Sequence, residues 1–395
     1  MRAYEPKHLT GAPPRAPRAR WPIPLLAMGL LVGVGGFVVL DPIDGGQSPS
    51  DTTLAADDHQ IAVCSRASIE DRAGLVLVVG LPGVTEASDP LIDELVDAGV
   101  GGVMLRDENI VDEEQATELV EGLRSRLGEH LLVAIDDEGG RVTAMGALDQ
   151  PVRSARTLAR LGPDETEAFA NETGELASSI GVDWVFAPVA DLDDGEAQGV
   201  IGDRSFGDDP AEVSELAGAF ADGLHEAGEA VTAKHFPGHG GSGDPHLGEA
   251  IDTSTMSDLE AADLIPFGVL IDDGAEAVMV NHLAYPNIWG DRPASLTPEV
   301  YQLLRDMGFD GVAITDAIGM GAVHARYGFD VAPAMAVEAG ADAVLVTQGD
   351  QIAVLHQGLV DAVRSGSLDE GRLDEAAGRM LALRGEPSEG TVCPS

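Results

Sequence analysis

The stretch AVMVNHLAYPNIWGDRPASLTPEVYQLLRDMGFDGVAITD, residues 277–316, contains two short apolar runs separated by an amphipathic segment. The runs, 277–282 and 311–316, show no polar alternation, and each ends in an ionisable side chain. Between them, Thr297 and Pro298 are typical of a helix start, and the glycine at 308 of a helix end. The pattern predicts a strand, a crossover helix and a second parallel strand, with both strands buried on both faces.

The same pattern recurs along most of the chain. Six more apolar runs of five or six residues lie at 75–80, 100–105, 131–136, 184–189, 230–235 and 343–347. Amphipathic segments such as 211–228 separate them. Eight strand–helix units predict an α/β fold, a (β/α)₈ TIM barrel, in a single catalytic domain over residues 65–385. A doubly wound open sheet is the alternative fold.

Charge and composition exclude several classes of protein. The 395 residues include 23 Lys and Arg against 68 Asp and Glu, a net charge of −45, and such a surface repels nucleic acid. The hydrophobic fraction of 44% is enough for a large core. Two cysteines, Cys64 and Cys393, exclude a disulfide-dense scaffold and a four-cysteine zinc site. The sequence leaves open whether these two cysteines pair with each other.

The first 64 residues have the composition of a targeting region. Residues 1–20 are basic, residues 21–40 are apolar and uncharged, and residues 41–64 are mostly polar. Twenty helical residues span about 30 Å, the thickness of the hydrocarbon core of a bilayer. We expect a basic cytoplasmic tail, a transmembrane anchor at 21–40 and a linker to an exported barrel, with a cleaved signal segment as the alternative. Residues 386–395 form a C-terminal tail.

The barrel prediction indicates where functional side chains should lie. Enzymes with this fold build their active sites at the carboxyl ends of the strands. Ionisable residues close or directly follow several of the apolar runs: Asp136, Asp191, Lys234 with His235, His282 and Asp316. We therefore expect these side chains to face one mouth of the barrel.

Four segments carry a resemblance to a known family. They are IDDEGGRV at 135–142, GDRSFG at 202–207, KHFPGHGGSGDPH at 234–246 and ITDAIGM at 314–320. From residue 65 to about 385 the chain resembles glycoside hydrolase family 3, in particular its single-domain β-N-acetylhexosaminidases of the NagZ type. Two departures stand out: Asp137 replaces a glutamine, and the loop before the D-x-H motif is one residue shorter, with Pro245 in place of Ser or Thr.

The resemblance implies roles for individual residues. Asp316 would be the nucleophile of a retaining mechanism, and His246, assisted by Asp244, would be the acid/base. A histidine titrates near neutral pH, so it can give up a proton and take one back. The positions matching the family's contacts to the terminal sugar are Asp136, Arg204, Lys234 and His235. His282, at the end of its strand, is a further candidate for the pocket.

We therefore expect an exported, monomeric exo-β-N-acetylhexosaminidase that acts on β-GlcNAc-terminated glycans such as muropeptides and needs no metal or organic cofactor. Within the family, a β-glucosidase or β-xylosidase and a phosphorylase remain alternatives. Outside it, a non-catalytic cell-wall-binding protein remains possible. A metal hydrolase could use His235, His239, Asp244 and His246, but Pro237 and the glycines disfavour the helix that zinc enzymes use.

Overall fold

The computed structural model describes residues 67–129, 131–239 and 250–384. Several sequence-based predictions lie outside these ranges: the basic tail, the membrane segment at 21–40, the linker, the C-terminal tail, Cys64, Cys393, and the loop that carries Asp244 and His246. Of the helices that fall inside them, none is both long and apolar enough to cross a bilayer.

Ten strands occur in the described part of the chain, and eight of them form one parallel sheet. In chain order they are β1 Leu77–Gly80, β2 Gly102–Leu105, β3 Leu132–Ile135, β4 Trp184–Val185, β5 Ala230–Phe236, β6 Ala277–Val280, β7 Ala284–Tyr285, β8 Gly290–Pro293, β9 Val312–Thr315 and β10 Val344–Val346. The sheet runs β10-β1-β2-β3-β4-β5-β6-β9, so its strands follow one another in chain order, with β10 beside β1 and the β7–β8 pair outside the sheet. A bridge between Ile314 and Ala343 brings its two ends together. The predicted eight-stranded α/β barrel is confirmed.

The helices follow the strands as the barrel pattern requires. Those of the described ranges are α1 Ile69–Leu75, α2 Pro90–Ala98, α3 Glu113–Leu127, α4 Ala155–Ala159, α5 Pro163–Ser179, α6 Pro210–Ala227, α7 Met256–Ala261, α8 Leu264–Asp272, α9 Pro298–Asp306, α10 Gly321–His324, α11 Ala332–Ala339, α12 Ile352–Ser365 and α13 Glu370–Leu383. The two segments predicted as helices, 211–228 and 297–308, correspond to α6 and α9 within two residues at each end.

Local capping explains the bounds of these two helices. The Asp209 carboxylate accepts hydrogen bonds from the first backbone N–H groups of α6, and Gly228 ends the helix with a positive φ of 91°. Thr297 occupies the N-cap position of α9 as predicted, but its hydroxyl donates to the Pro293 carbonyl at 2.9 Å instead of capping the helix. α9 therefore begins without a side-chain cap, with Pro298 at its first position.

The core has two layers separated by the strands. In β3, Leu132 and Ala134 pack with Trp184 inside the barrel, whereas Val133 and Ile135 pack outward among the helices. Both sets of side chains are buried. Because neither face meets water, the strand has no polar alternation, which is why the sequence shows continuous apolar runs.

The strands are shorter than the apolar runs that predicted them. The run 184–189 contributes only Trp184–Val185 to β4. Hydrogen bonds to the neighbouring strands continue past Val185, from the Phe186 N–H to the Ile135 carbonyl at 2.8 Å and from the Thr232 N–H to the Ala187 carbonyl at 3.0 Å. Pro188 has no N–H to donate, so no regular ladder follows, only a bridge between Val189 and Lys234. The hairpin β7–β8 was not predicted, since its few residues carry no clear period.

Candidate active site

A pocket of about 200 Å³ lies at the carboxyl ends of the strands, where Asp136 follows β3 and Asp316 follows β9. Its lining includes five residues selected from the sequence: Asp136, Arg204, Lys234, His235 and Asp316. The other lining residues are Val142, Val200, Ile201, His239, Met279, Met320 and Leu345. Residues far apart in the chain thus converge because parallel strands all end on the same face of a barrel.

Lys234 lies at the bottom of this pocket between two carboxylates. Its side chain is 1% exposed, and Nζ donates to Asp136 Oδ1 and lies 2.5 Å from Glu138 Oε1. Burial opposes its charge, but the charges of Asp136 and Glu138 outweigh burial and raise the pKa of Lys234 above its usual range. Lys234 is therefore a buried, charged hydrogen-bond donor.

Glu138 was not selected from the sequence, yet it joins the cationic side chains of the site. Arg204 donates to both of its carboxylate oxygens, through Nε and Nη2, at 2.7 Å each. Burial opposes ionisation of Glu138, but Arg204 and then Lys234 hold its pKa well below its usual range. The pairing in turn raises the pKa of Arg204 despite burial. Its position directly after Asp136 and Asp137 in the IDDEGGRV motif was the sequence signal that could have identified Glu138 as a site residue.

A second buried carboxylate orients the imidazole of His235. Asp191 Oδ2 lies 2.6 Å from His235 Nδ1, and Oδ1 accepts the backbone N–H groups of His235 and His239 at 3.2 and 2.9 Å. His235 Nε2 lies 3.2 Å from Arg204 Nη2. Asp191 does not line the pocket, but its contacts hold the His235 ring, which does line it. The His239 ring packs edge-on against His235, with centroids 5.9 Å apart.

Within the described residues, Asp316 lines the pocket without an ion pair to Lys234 or Arg204. Oδ1 accepts the backbone N–H of Ala317 at 2.7 Å, whereas Lys234 and Arg204 are engaged by Asp136 and Glu138. Burial would raise its pKa, but His235, His282, the Ala317 N–H and Lys234 together lower it. Asp316 is therefore ionised at neutral pH, which the predicted nucleophile role requires.

His282 lies behind the pocket wall and does not line it. Its Nδ1 is 2.6 Å from Ser295 Oγ, and its Nε2 is 3.0 Å from the carbonyl oxygen of Ala317. Since Ala317 also donates to Asp316, we expect His282 to position the segment after β9 rather than to contact a sugar. A strand position predicts that a side chain is near a site but not which way it points.

Two arginines hold the loop that follows β4 against the pocket. Arg141 Nη2 donates to the carbonyl groups of residues 199–201 at 2.5, 3.1 and 2.8 Å. Arg156 Nη2 donates to the carbonyl groups of Asp193 and Gly202. This loop supplies part of the pocket wall, so both arginines shape the pocket without lining it.

Asp137 does not line the pocket, although the preceding residue, Asp136, does. Oδ2 accepts the Thr143 hydroxyl at 2.9 Å and the N–H groups of Ala144 and Met145, and Oδ1 accepts the Gln150 amide at 3.2 Å. Burial raises the pKa of Asp137 to about 6, although these hydrogen bonds oppose the shift. The carboxylate that replaces the family's glutamine therefore anchors the loop after β3.

The pH dependence of stability tests this role. Because the folded state holds the Asp137 proton up to about pH 6 and the unfolded state only to about pH 3.8, ionisation of Asp137 destabilises the fold as the pH rises through this window. We expect the free energy of unfolding of wild type, relative to Asp137→Asn, to fall by about 2 kcal/mol between pH 4.5 and 7.5. Denaturant titrations at both pH values measure this, with exposed Asp208→Asn as the control. Parallel pH curves for wild type and Asp137→Asn would contradict the assignment.

The predicted acid/base pair, Asp244 and His246, lies outside the described residues, and its role stays a prediction. Two of the four candidate ligands of the metal-hydrolase alternative lie there too. Among residues that the structure does describe, no three His, Cys, Asp or Glu side chains are arranged to hold a metal ion.

A (β/α)₈ barrel with ionised carboxylates in a narrow pocket at the carboxyl ends of its strands has the parts that a glycoside hydrolase requires. Residues 70–383 match the glycosyl hydrolase family 3 N-terminal domain. The chain belongs to glycosyl hydrolase family 3, and the resemblance inferred from its motifs is confirmed.

Individual relatives agree with this assignment. The chain is 35% identical over 331 residues to the β-hexosaminidase LpqI of Mycobacterium tuberculosis, which covers 80% of this chain and 83% of LpqI. It is 39% identical over 282 residues to a β-hexosaminidase of Xylella fastidiosa, covering 69% and 83% of the two chains. A solved family 3 β-N-acetylglucosaminidase from a Paenibacillus species superposes with a TM-score of 0.76 at 32% identity, over 80% of this chain and 62% of that one.

Proposed function

We propose that this protein is a retaining exo-β-N-acetylhexosaminidase that removes terminal β-linked N-acetylglucosamine from peptidoglycan fragments or related glycans. The observation that carries the proposal is the ionised Asp316 in a pocket where Lys234 and Arg204 are paired with other carboxylates, those of Asp136 and the buried Glu138. The names of the relatives from Mycobacterium tuberculosis, Xylella fastidiosa and Paenibacillus support the choice of sugar.

In the first proposed step, a carboxylate oxygen of Asp316 attacks the anomeric carbon while the bond from that carbon to the leaving oxygen breaks. His246, assisted by Asp244, donates a proton to the leaving oxygen. In the second step, water attacks the anomeric carbon of the glycosyl-Asp316 ester, its proton passes to His246, and the carboxylate is released. Two inversions at one carbon give net retention.

The remaining pocket residues suit recognition of a pyranose ring. Asp136 is 31% exposed, so its carboxylate can accept hydrogen bonds from sugar hydroxyls. Lys234, Arg204 and His235 line the same pocket and can donate to hydroxyl or acetamido oxygens. The small volume, about 200 Å³, favours a single terminal sugar and hence exo action.

One assay separates the candidate activities. Release of the aryl group is measured from β-GlcNAc, β-glucose and β-xylose derivatives, each with and without phosphate. We expect β-GlcNAc to be preferred, with no phosphate requirement. Preference for glucose or xylose would favour the glucosidase or xylosidase alternative, sugar phosphate as product would favour the phosphorylase, and no turnover would favour a wall-binding protein.

The leaving-group dependence of a His246→Ala variant tests the proposed acid. A general acid accelerates departure by about 10²–10⁴-fold, but a good leaving group departs without protonation. We expect kcat/KM to fall by about 10²-fold or more on a β-GlcNAc disaccharide, and by less than about 10-fold on the 2,4-dinitrophenyl glycoside.

Ser242→Ala, in the same loop, is the matched control and should retain both activities. Equal losses on the two substrates in His246→Ala would contradict the acid role of His246. Azide rescue of the variant on the dinitrophenyl substrate, giving β-glycosyl azide, would support it.

We also propose that the barrel is exported, monomeric and tethered by residues 21–40. The basic flank at residues 1–20 followed by an uncharged stretch supports the orientation. Protease treatment of spheroplasts tests it: degradation of the barrel without lysis agrees with export, and protection until lysis contradicts it.

A further inference from the structure

A second cavity, of about 440 Å³, lies at the end of the barrel opposite the active site. It is formed where strands begin: Leu131 and Leu132 at the start of β3, Asp183 before β4, and Ala230 at the start of β5. Its remaining lining residues are Glu129, Ser178, Val182, Gly228, Glu229, Glu276, Leu383 and Arg384. We call it the basal cavity.

Glu229 is a buried carboxyl group in this cavity whose hydrogen-bonding capacity is not met. The residue is 3% exposed, and no hydrogen bond from the described part of the chain reaches its Oε2. A buried carboxylate without a partner is strongly unfavourable, so such groups bind a proton or a cation. Burial, and then the charge of Asp183, raise the pKa of Glu229 to about 8. Glu229 therefore carries a proton at neutral pH.

The neighbouring acidic groups already have partners. Arg124 Nη2 lies 2.7 and 2.8 Å from the two carboxylate oxygens of Asp183. Glu276 Oε2 lies 3.0 Å from His225 Nε2 and accepts the Val231 N–H at 2.9 Å. These pairs remove most of the excess charge around Asp183 and Glu276.

The rim adds one charge of each sign. Glu129 lies at the edge of the basal cavity, and Arg384 donates to the carbonyl group of Gly101 on the other side. Glu129, Asp183 and Glu276 lie around the cavity with Arg124, Arg384 and His225, and the hydrogen bond to Glu276 raises the pKa of His225. Ionisation of Glu229 adds one negative charge to this set. The basal cavity can therefore take one cation in exchange for the proton.

We propose that the basal cavity binds a primary alkylammonium group, whose nitrogen donates a charge-assisted hydrogen bond to the carboxylate of Glu229. The lining is mostly polar, and its apolar residues Leu131, Val182 and Leu383 suit only a short alkyl chain beside the charge. A metal ion fits less well, because no three suitable ligands among the described residues converge there. The proposal is independent of the function proposed for the pocket at the other end.

Proton and ammonium compete for Glu229, which gives the proposal a pH signature. Below pH 8, the proton must leave before the amine can bind, so the apparent affinity falls about tenfold for each pH unit. We expect the full chain to bind n-butylammonium about 100-fold more weakly at pH 6 than at pH 9. At pH 6.5, binding should release about one proton per amine, read by calorimetry in buffers of different ionisation enthalpy.

Glu229→Gln, a neutral variant of nearly the same shape, should lose butylammonium binding at pH 9. Glu299→Gln, at an exposed position on α9, is the matched control and should bind as wild type does. Sodium chloride controls for ionic strength. Tetramethylammonium chloride, whose cation has no N–H group, tests whether an N–H donor is needed. Unchanged binding in Glu229→Gln, binding without proton release, or no saturable binding at pH 9 would each overturn the proposal. The wild-type proton release keeps the test valid if Glu229→Gln does not fold.

Discussion

Asp316→Asn should lose turnover on every β-GlcNAc substrate, with kcat lower by on the order of 10³-fold or more. The amide nearly matches the carboxylate in shape and can still accept the Ala317 N–H at the position where Oδ1 accepts it at 2.7 Å. It cannot form the glycosyl ester, because it lacks the negative charge that attacks the anomeric carbon. The loss should appear in kcat, since the groups that hold the sugar remain.

The measurement combines steady-state kinetics with binding of a non-hydrolysed GlcNAc analogue. Asp310→Asn, an exposed aspartate just before β9, is the matched control and should keep wild-type kcat. Substantial turnover by Asp316→Asn would contradict the nucleophile assignment. Mass spectrometry of wild type with a slow 2-fluoro substrate should find the sugar ester on Asp316, and an adduct on another side chain would be equally damaging.

Glu138→Ala should disrupt both the fold and the pocket. The carboxylate lies in a buried network with Arg204, at 2.7 Å, and with Lys234, at 2.5 Å. Removing it leaves Arg204 without its carboxylate partner and Lys234 with Asp136 alone, which costs about 3–5 kcal/mol of unfolding free energy. We also expect KM to rise, because Arg204 would no longer be held in the pocket.

Denaturant unfolding and kinetics at a temperature where the variant is folded separate the two effects. Glu121→Ala, on the exposed face of α3, is the matched control and should change stability by less than about 0.5 kcal/mol. Glu138→Gln should lose less stability than Glu138→Ala, because its amide oxygen can still accept one hydrogen bond from Arg204. A Glu138→Ala protein as stable and as active as the control would remove Glu138 from the site.

The fold was predictable because a parallel strand buried on both faces leaves a continuous apolar run in the sequence. Eight such runs, each followed by an amphipathic segment, allow few architectures other than a closed barrel. The exact strand ends were not predictable. Phe186 lies beyond the last residue of β4 but still packs inside the barrel and donates its N–H to Ile135, so its apolar character marks the buried stretch and not the end of the strand.

The sequence by itself determined which face of the barrel carries the site, since Asp136, Lys234, His235 and Asp316 close strands that all end there. Only the tertiary structure decided the direction of each side chain. Asp137 turns into a buried hydrogen-bond network, while Glu138, one residue further, turns back to Arg204 and Lys234. Side-chain direction in a loop depends on contacts with residues distant in the chain, and neither residue type nor spacing records those contacts.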